Sequence, residues 1–268
     1  MDSDAPGRSF GAIAPTYHRY RPLVPARAVD WLAEGGHTVV LDVGAGTGRF
    51  TAQLLALKRF PRVHAVEPDQ RMLAPLHRHC PEALAVAGTA ERIPLAEDTV
   101  DAVFAAGAWH WFNTAAALAD IARVLRPAGV LGVVWNIRDR SVPWIRQVDT
   151  MVGRHHAPGQ EPGTFTLPLD APFTTPDTLV LDWEWEVSPR DFVVSLGTYS
   201  HLLDLPPREQ AHVVDTVEDF LTTHPELVRD DLLRVPITTT CYRTRLTPRR
   251  PVTPPASAPA RQRTTPRS

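Results

Sequence analysis

Three glycines, Gly44, Gly46 and Gly48, fall on alternate positions in VLDVGAGTGRF (40–50), directly after an apolar run. Glycines at this spacing let a chain leave a strand, turn sharply and bring its backbone against a ligand, because no Cβ stands in the way. The stretch therefore commits the chain to a strand–turn–helix unit with a ligand at the turn. Such a turn suits either a dinucleotide phosphate or a group carrying positive charge.

Three residues separate the two. A dinucleotide turn follows G-x-G-x-x-G, which requires glycine at position 49, where this chain has Arg49. Asp42, two residues before Gly44, repels a pyrophosphate and attracts an ammonium. Glu67 closes the next apolar run, 19 positions after Gly48, where a carboxylate accepts hydrogen bonds from a ribose diol. An adenosine with a cationic, amino-acid-like arm satisfies all three, and that molecule is S-adenosylmethionine. The glycines let its methionine arm lie against the turn, and Asp42 stabilises the charged end.

The surrounding pattern supplies the architecture. Apolar runs at 38–43, 63–67, 84–87, 100–105 and 130–135 read as strands, and 46–57, 69–80 and 113–125 between them as helices. Arg126-Pro127-Ala128-Gly129 closes the last helix. Alternating strands and helices predict a parallel sheet wound on both faces, with a helix at 25–34 on the sheet edge. Residues 153–178 are rich in Pro and Gly and read as irregular. Strands at 179–187 and 237–246 and helices at 189–203 and 207–223 follow. The last 21 residues, from 248, hold six prolines and five arginines without an acid, so they cannot bury enough surface to offset ordering and are expected to be disordered.

Four segments in order, VLDVGAGTG, AVEPDQRML (65–73), AGTAERIPLAEDTVDAVFAAGAWHWF (87–112) and VLRPAGVLGVVW (124–135), resemble the successive motifs of class I S-adenosylmethionine-dependent methyltransferases. The chain is most similar to their type 11 small-molecule branch, which includes trans-aconitate methyltransferase-like enzymes. The resemblance implies a Rossmann-like α/β fold, doubly wound with seven strands and a helical lid or insert. It implies one methyltransferase domain over 1–247, with a cofactor-binding core at 10–135 and the substrate-side lid and last strands at 136–247. Carried over by position, Gly44, Ala45, Gly46 and Gly48 form the cofactor loop and Glu67 takes the ribose, with Pro68 and Met72 near the adenine. Thr89, Ala90 and Glu91 hold the adenine edge; Thr89 stands where the family often has Asp, which lessens the electrostatic pull. Ala106 lies beneath the sulfonium. Tyr17 and Arg21 match a Y-x-x-x-R-P lid signature, and the Arg21 fork suits the methionine carboxylate.

Methyl transfer asks little acid–base chemistry of a protein, since a sulfonium is already an electrophile and alignment supplies much of the rate. A hydroxyl acceptor needs a base; a carboxylate does not. His110, in AWHWF (108–112) just past the fourth strand, is the candidate catalytic base, with pocket shaping or helix capping as its other reading. Trp109 and Trp111 read equally as a substrate wall or as core. Asn136 and Arg138 follow the fifth strand; Arg138 either holds an anionic substrate or pairs with Asp139 or a lid helix. Tyr199 and His201 lie in the insert that covers the pocket, and Tyr199 is the candidate substrate contact there. His155 and His156 lack a third ligand at metal spacing, so no metal is expected.

Without the arginine-rich tail the chain carries 23 basic against 30 acidic residues, which argues against a nucleic-acid partner. No apolar run reaches the ~18 residues of a membrane span, and the first ten residues carry no leader pattern. Two distant cysteines, Cys80 and Cys241, make neither a disulfide framework nor a zinc site and suit a reducing cytoplasm. The expectation is a cytoplasmic, monomeric or homodimeric methyltransferase acting on a small molecule, with oxygen (a carboxylate or a hydroxyl) as the first expected acceptor and carbon or nitrogen next, in natural-product chemistry. Two other functions stay open, a protein of the same fold that uses the cofactor as scaffold for a cyclisation or rearrangement, and a non-enzymatic binding protein.

Overall fold

A computed structural model describes residues 11, 13–153 and 163–248. A short helix α1 (Ala14–Tyr20) and α2 (Ala26–Leu32) precede the first strand, β1 (Val39–Val43). All five β1 residues are buried, as a central strand covered on both faces requires. Val39, Leu41 and Val43 face one layer and Val40 the other. That alternation fixes which helices can cover each side.

The glycine turn leads into α3 (Arg49–Ala56), followed by β2 (Arg62–Glu67), α4 (Gln70–His79) and β3 (Leu84–Ala87). Next come β4 (Val100–Ala106), a 3₁₀ turn (Trp109–Trp111), α5 (Thr114–Val124) and β5 (Leu125–Arg138). Phe50 and Leu54 of α3 and Leu32 of α2 pack with Val40, Phe104 and Val134. Leu118 and Ile121 of α5 pack with Leu41, Val103 and Leu131 on the opposite face. Each fully buried leucine of this kind stabilises the fold by roughly 1.5–3 kcal/mol. Asp101 locks the lower end of β4 to β1 by accepting from the Thr38 and Val39 amides while pairing with Arg126.

The second half adds α6 (Pro143–Met151), β6 (Asp177–Val187), α7 (Pro189–Leu196), α8 (Ser200–Leu203), α9 (Pro207–Thr223), β7 (Val228–Arg229) and β8 (Leu232–Arg245). The sheet order is β3-β2-β1-β4-β5-β8-β6, with β7 pairing β8. The first five strands are parallel, whereas β8 runs antiparallel between β5 and β6. The expected seven strands are present, and the two-residue β7 is an eighth. Helices α6, α7 and α9 form their own apolar cluster through Ile145, Phe192, Val217 and Leu221 against the ends of β6 and β8. No helix among the described residues is long and apolar enough to cross a membrane.

Several expected boundaries move for local reasons. The third helix starts at Arg49 rather than 46, because Gly48 takes a left-handed φ of 86° as its N-cap. The expected helix at 189–203 breaks at Gly197-Thr198 into α7 and α8. Arg126 to Gly129 does not form a loop: β5 begins at Leu125, paired with Val100, and the register shifts before Val130 meets Ala102. Helix α2 lies over the sheet face rather than on its edge, with Leu32 against Phe104. Helices α1 and α6 were not expected. Residues 249–268, His155 and His156 lie outside the described residues, as does the side chain of His201.

Candidate functional site

The strand order reverses between β1 and β4, where β2 departs to one side and β5 to the other. Open α/β sheets bind ligands in the crevice at such a reversal, beyond the carboxyl ends of the strands. A cavity of about 460 Å³ lies there. Of the residues singled out by sequence, all but two line it.

Its first end is acidic. Glu67 accepts hydrogen bonds from the Gly46 amide at 2.8 Å and the Asp69 amide at 3.0 Å, one on each oxygen. These hold the carboxylate edge-on to the turn, and each oxygen keeps a lone pair for a hydroxyl. Burial raises the Glu67 pKa against the pull of those amides. Asp42 is 1% exposed, with Oδ2 accepting from Thr51 Oγ1 at 2.6 Å. Its Oδ1 is buried and has no hydrogen-bond partner among the described residues. Burial, reinforced by the nearby Glu67 charge, pushes the Asp42 carboxyl up to about 7. A cation placed in the cavity would satisfy that oxygen and favour its ionised form. Gly44, at φ 70°, is tight: a Cβ there would stand 2.6 Å from the Ala108 Cβ. Ala45, Pro68, Met72, Thr89, Ala90 and Glu91 continue the wall, and Ala106 lies at the tip of β4. The Glu91 carboxylate accepts from the Asn113 backbone N–H, which ties the loop at 89–91 to the start of α5.

The roof comes from α1 and the segment after it. His18 meets Thr47 Oγ1 at 3.0 Å through Nδ1 and stacks on His79 with ring centroids 3.7 Å apart. This seats α1 over the glycine turn. Arg21 lines the cavity, but its guanidinium donates to the Thr198 hydroxyl and carbonyl and lies 3.7 Å from the Tyr199 ring. Tyr17 stacks on the same guanidinium. The Arg49 guanidinium, a wall residue that the sequence reading passed over, donates to the Arg21 carbonyl. Asn136 donates to the Leu23 carbonyl and accepts from Thr239, so it latches the roof to β8.

The second end is aromatic. His110, Trp111, Phe112, Trp135, Trp185 and Tyr199 line it, with Arg138 and Ile237. The Trp135 indole donates to His110 Nδ1 at 3.4 Å. An indole N–H can only donate, so Nδ1 presents its lone pair and a neutral His110 carries its proton on Nε2. Arg138 pairs with Asp149 of α6, not with Asp139.

Two expected site residues are elsewhere. Trp109 is 5% exposed and packs edge-on against Phe112 and Phe165 in the core beneath α5. Gly48 does not line the cavity; a Cβ there would meet Leu76 Cγ at 3.0 Å and Cys80 Sγ at 3.1 Å, so this glycine serves the packing of α3 on α4. Trp135 and Trp185 were read only as strand residues; a tryptophan at the carboxyl end of a strand was the available signal. Nothing local marks Leu23 or Ile237.

The acid pair, the orphaned Asp42 oxygen and the glycine cradle fit the adenosyl amino acid derived from the sequence. Comparison with known proteins agrees. A family model described as a methyltransferase domain matches residues 41–133. An uncharacterised methyltransferase of Mycobacterium tuberculosis is 39% identical over 238 residues, which span 89% of this chain and 96% of the relative. The chain belongs to the class I S-adenosylmethionine-dependent methyltransferases. A malonyl-[acyl-carrier protein] O-methyltransferase of Dechloromonas aromatica is 35% identical over 131 residues, 47% of the methyltransferase described here and 48% of that relative. Among solved structures, a chain assigned as a type II methyltransferase from Anaeromyxobacter dehalogenans superposes with a TM-score of 0.64 at 26% identity, covering 86% of this methyltransferase and 100% of that chain. The methyltransferase is thus an enzyme that uses S-adenosylmethionine, and the non-enzymatic reading falls away.

Proposed function

We propose that this methyltransferase esterifies a carboxylate oxygen of a small organic acid. One observation carries the reading: the indole of Trp135 holds His110 with its Nδ1 lone pair engaged, so the neutral ring keeps its proton on Nε2 and is a donor, not a base. In this reading His110 takes the pocket-shaping role that the sequence offered beside catalysis. A hydroxyl acceptor needs a proton removed, whereas a carboxylate is already ionised near neutrality. The kinship with a malonyl-[acyl-carrier protein] O-methyltransferase over half the chain supports oxygen as the acceptor atom.

Bound S-adenosylmethionine supplies a methyl group on a sulfonium, an electrophile that needs only an aligned nucleophile. Glu67 would hold the ribose diol, Asp42 the ammonium, and Arg49 with Arg21 the carboxylate end. Pro68, Met72, Thr89 and Ala90 would enclose the adenine. His110 orients the acceptor group, and Trp111, Trp135 and Tyr199 keep the substrate body out of water. Alignment and water exclusion are what these residues contribute to the rate.

The test is incubation of the enzyme with methyl-labelled S-adenosylmethionine and matched panels of small organic acids, phenols and alcohols. Label in a base-labile methyl ester, released one-to-one with S-adenosylhomocysteine, supports the reading. Label confined to ethers or amines overturns it.

A further inference from the structure

The far end of the cavity holds a guanidinium that methyl transfer, as derived above, does not employ. Arg138 ends β5, is 3% exposed, and forms part of the cavity wall. Its Nε donates to Asp149 Oδ1 at 3.0 Å and its Nη2 donates to the same oxygen. Its Nη1 makes no hydrogen bond among the described residues. That donor edge borders the cavity, where water or a ligand can meet it.

Its neighbours are two further arginines and an aromatic ring. Arg138 lies 4.7 Å from the Tyr199 ring and Arg21 lies 3.7 Å from the same ring. Arg140 Nε stands 3.5 Å from Asp149 Oδ2. Among the described residues Asp149 is thus paired with Arg138 and Arg140, while Arg21 shares the Tyr199 ring with Arg138. The planar fork of an arginine matches a carboxylate, which suits the unengaged Nη1 edge of Arg138.

Position separates this anion from the reacting one. His110 is tied to Trp135, three residues before Arg138 on β5, a spacing on the order of 10 Å along a strand. Ala106, at the tip of β4, pairs with Val134, one residue earlier still. Ile237 pairs with Arg138 across β5 and β8, Trp185 stands farther along β6, and both give the anion end of the cavity an apolar wall.

We propose that Arg138 anchors a spectator anion, so that the substrate is an apolar-bodied organic acid bearing a second acidic group remote from the oxygen that is methylated. For the reacting end this rests on the carboxylate reading above; the anchor itself does not.

The experiment uses product-shaped probes on the full chain saturated with S-adenosylhomocysteine. Monomethyl suberate carries an ester at one end and a free carboxylate at the other, and dimethyl suberate lacks the carboxylate. Calorimetry should show the monoester binding at least about 10-fold tighter, the worth of one charged hydrogen bond. Removing Arg138 alone would strand the buried Asp149 charge, so the pair is replaced together, as Arg138→Met with Asp149→Leu. That variant should bring the two probes to within about 2-fold while binding S-adenosylhomocysteine as the wild type does. Arg138→Lys, which keeps charge but not the fork, should lower the preference several-fold and serves if the double variant does not fold. Equal binding of both probes by the wild type, or a preference that survives both variants, overturns the anchor. Failure of the wild type to bind S-adenosylhomocysteine would instead strike the cofactor assignment, and the probe preference would still be measurable without it.

Discussion

Thr51, in the first turn of α3, donates a 2.6 Å hydrogen bond back to Asp42 Oδ2 on β1, while Asp42 Oδ1 has no hydrogen-bond partner among the described residues. One hydroxyl does not compensate a carboxylate of 1% exposure, and burial raises its pKa from 3.8 to about 7. Between those values the native state holds a proton that the unfolded chain has released. Relative to the unfolded chain, this group favours the native state most below pH 4, and that contribution of roughly 4 kcal/mol is lost as pH rises through 7. Asp42→Asn should flatten the stability profile from pH 4 to 8 and exceed the wild type in stability at pH 8, by thermal or denaturant unfolding without ligand.

The same residue couples cofactor binding to protons. An ammonium beside Oδ1 favours the ionised carboxylate, so binding S-adenosylhomocysteine at pH 6 should release close to one proton. Calorimetry in buffers of different ionisation enthalpy measures the number. Asp42→Asn should abolish the release and weaken binding at least about 10-fold, as loss of a charged hydrogen bond does.

Glu67 performs two tasks at once. It fixes the turn through the Gly46 and Asp69 amides, and in the proposed cofactor pose its remaining lone pairs would take the ribose diol. Glu67→Ala should weaken S-adenosylhomocysteine binding by roughly 1.5–3 kcal/mol. Glu67→Gln, which retains one carbonyl acceptor, should fall between. Unchanged affinity in the alanine variant would remove Glu67 from the site.

These two acids were legible in the sequence because strand, turn and charge lie within a few residues of one another. Gly44, Gly46, Asp42 and Glu67 needed only the alternation of β1 and the end of β2 to be placed. The aromatic end was not legible in the same way. Trp185, Tyr199 and Ile237 reach the cavity from β6, the α7–α8 break and β8, and only the antiparallel packing of β8 between β5 and β6 brings them together. Trp109 and Trp111 illustrate the limit: two residues apart in one 3₁₀ turn, one enters the core and the other the cavity, and no local pattern separates them. Arg138 was assigned alternatives because its partner Asp149 sits on α6, a helix the sequence did not announce.

Gly44 and Gly48 separate backbone strain from ligand contact. Both have positive φ, and a Cβ costs roughly 1–2 kcal/mol there before any clash. At Gly48 the clash is with Leu76 and Cys80, and at Gly44 with Ala108 and Phe112 on the cavity side. Both alanine variants should lower the melting temperature. Gly48→Ala should keep the wild-type affinity for S-adenosylhomocysteine in its folded fraction, whereas Gly44→Ala should lose it, which calorimetry below the transition resolves.

His110 distinguishes a donor from a base. With Nδ1 engaged by Trp135, Nε2 carries the proton of the neutral ring, and in the proposed reading that ring orients the acceptor. Loss of one neutral hydrogen bond corresponds to roughly 2–12-fold in rate. His110→Ala should therefore lower kcat by about that factor, and His110→Gln, whose amide N–H reaches a similar position, should recover much of it. The dependence of kcat on pH should stay flat from 6 to 8 in all three enzymes, because no proton leaves the acceptor. A base at this position would instead cost about 10²–10⁴ in both variants and would impose an acidic limb on the wild-type profile that the variants lack.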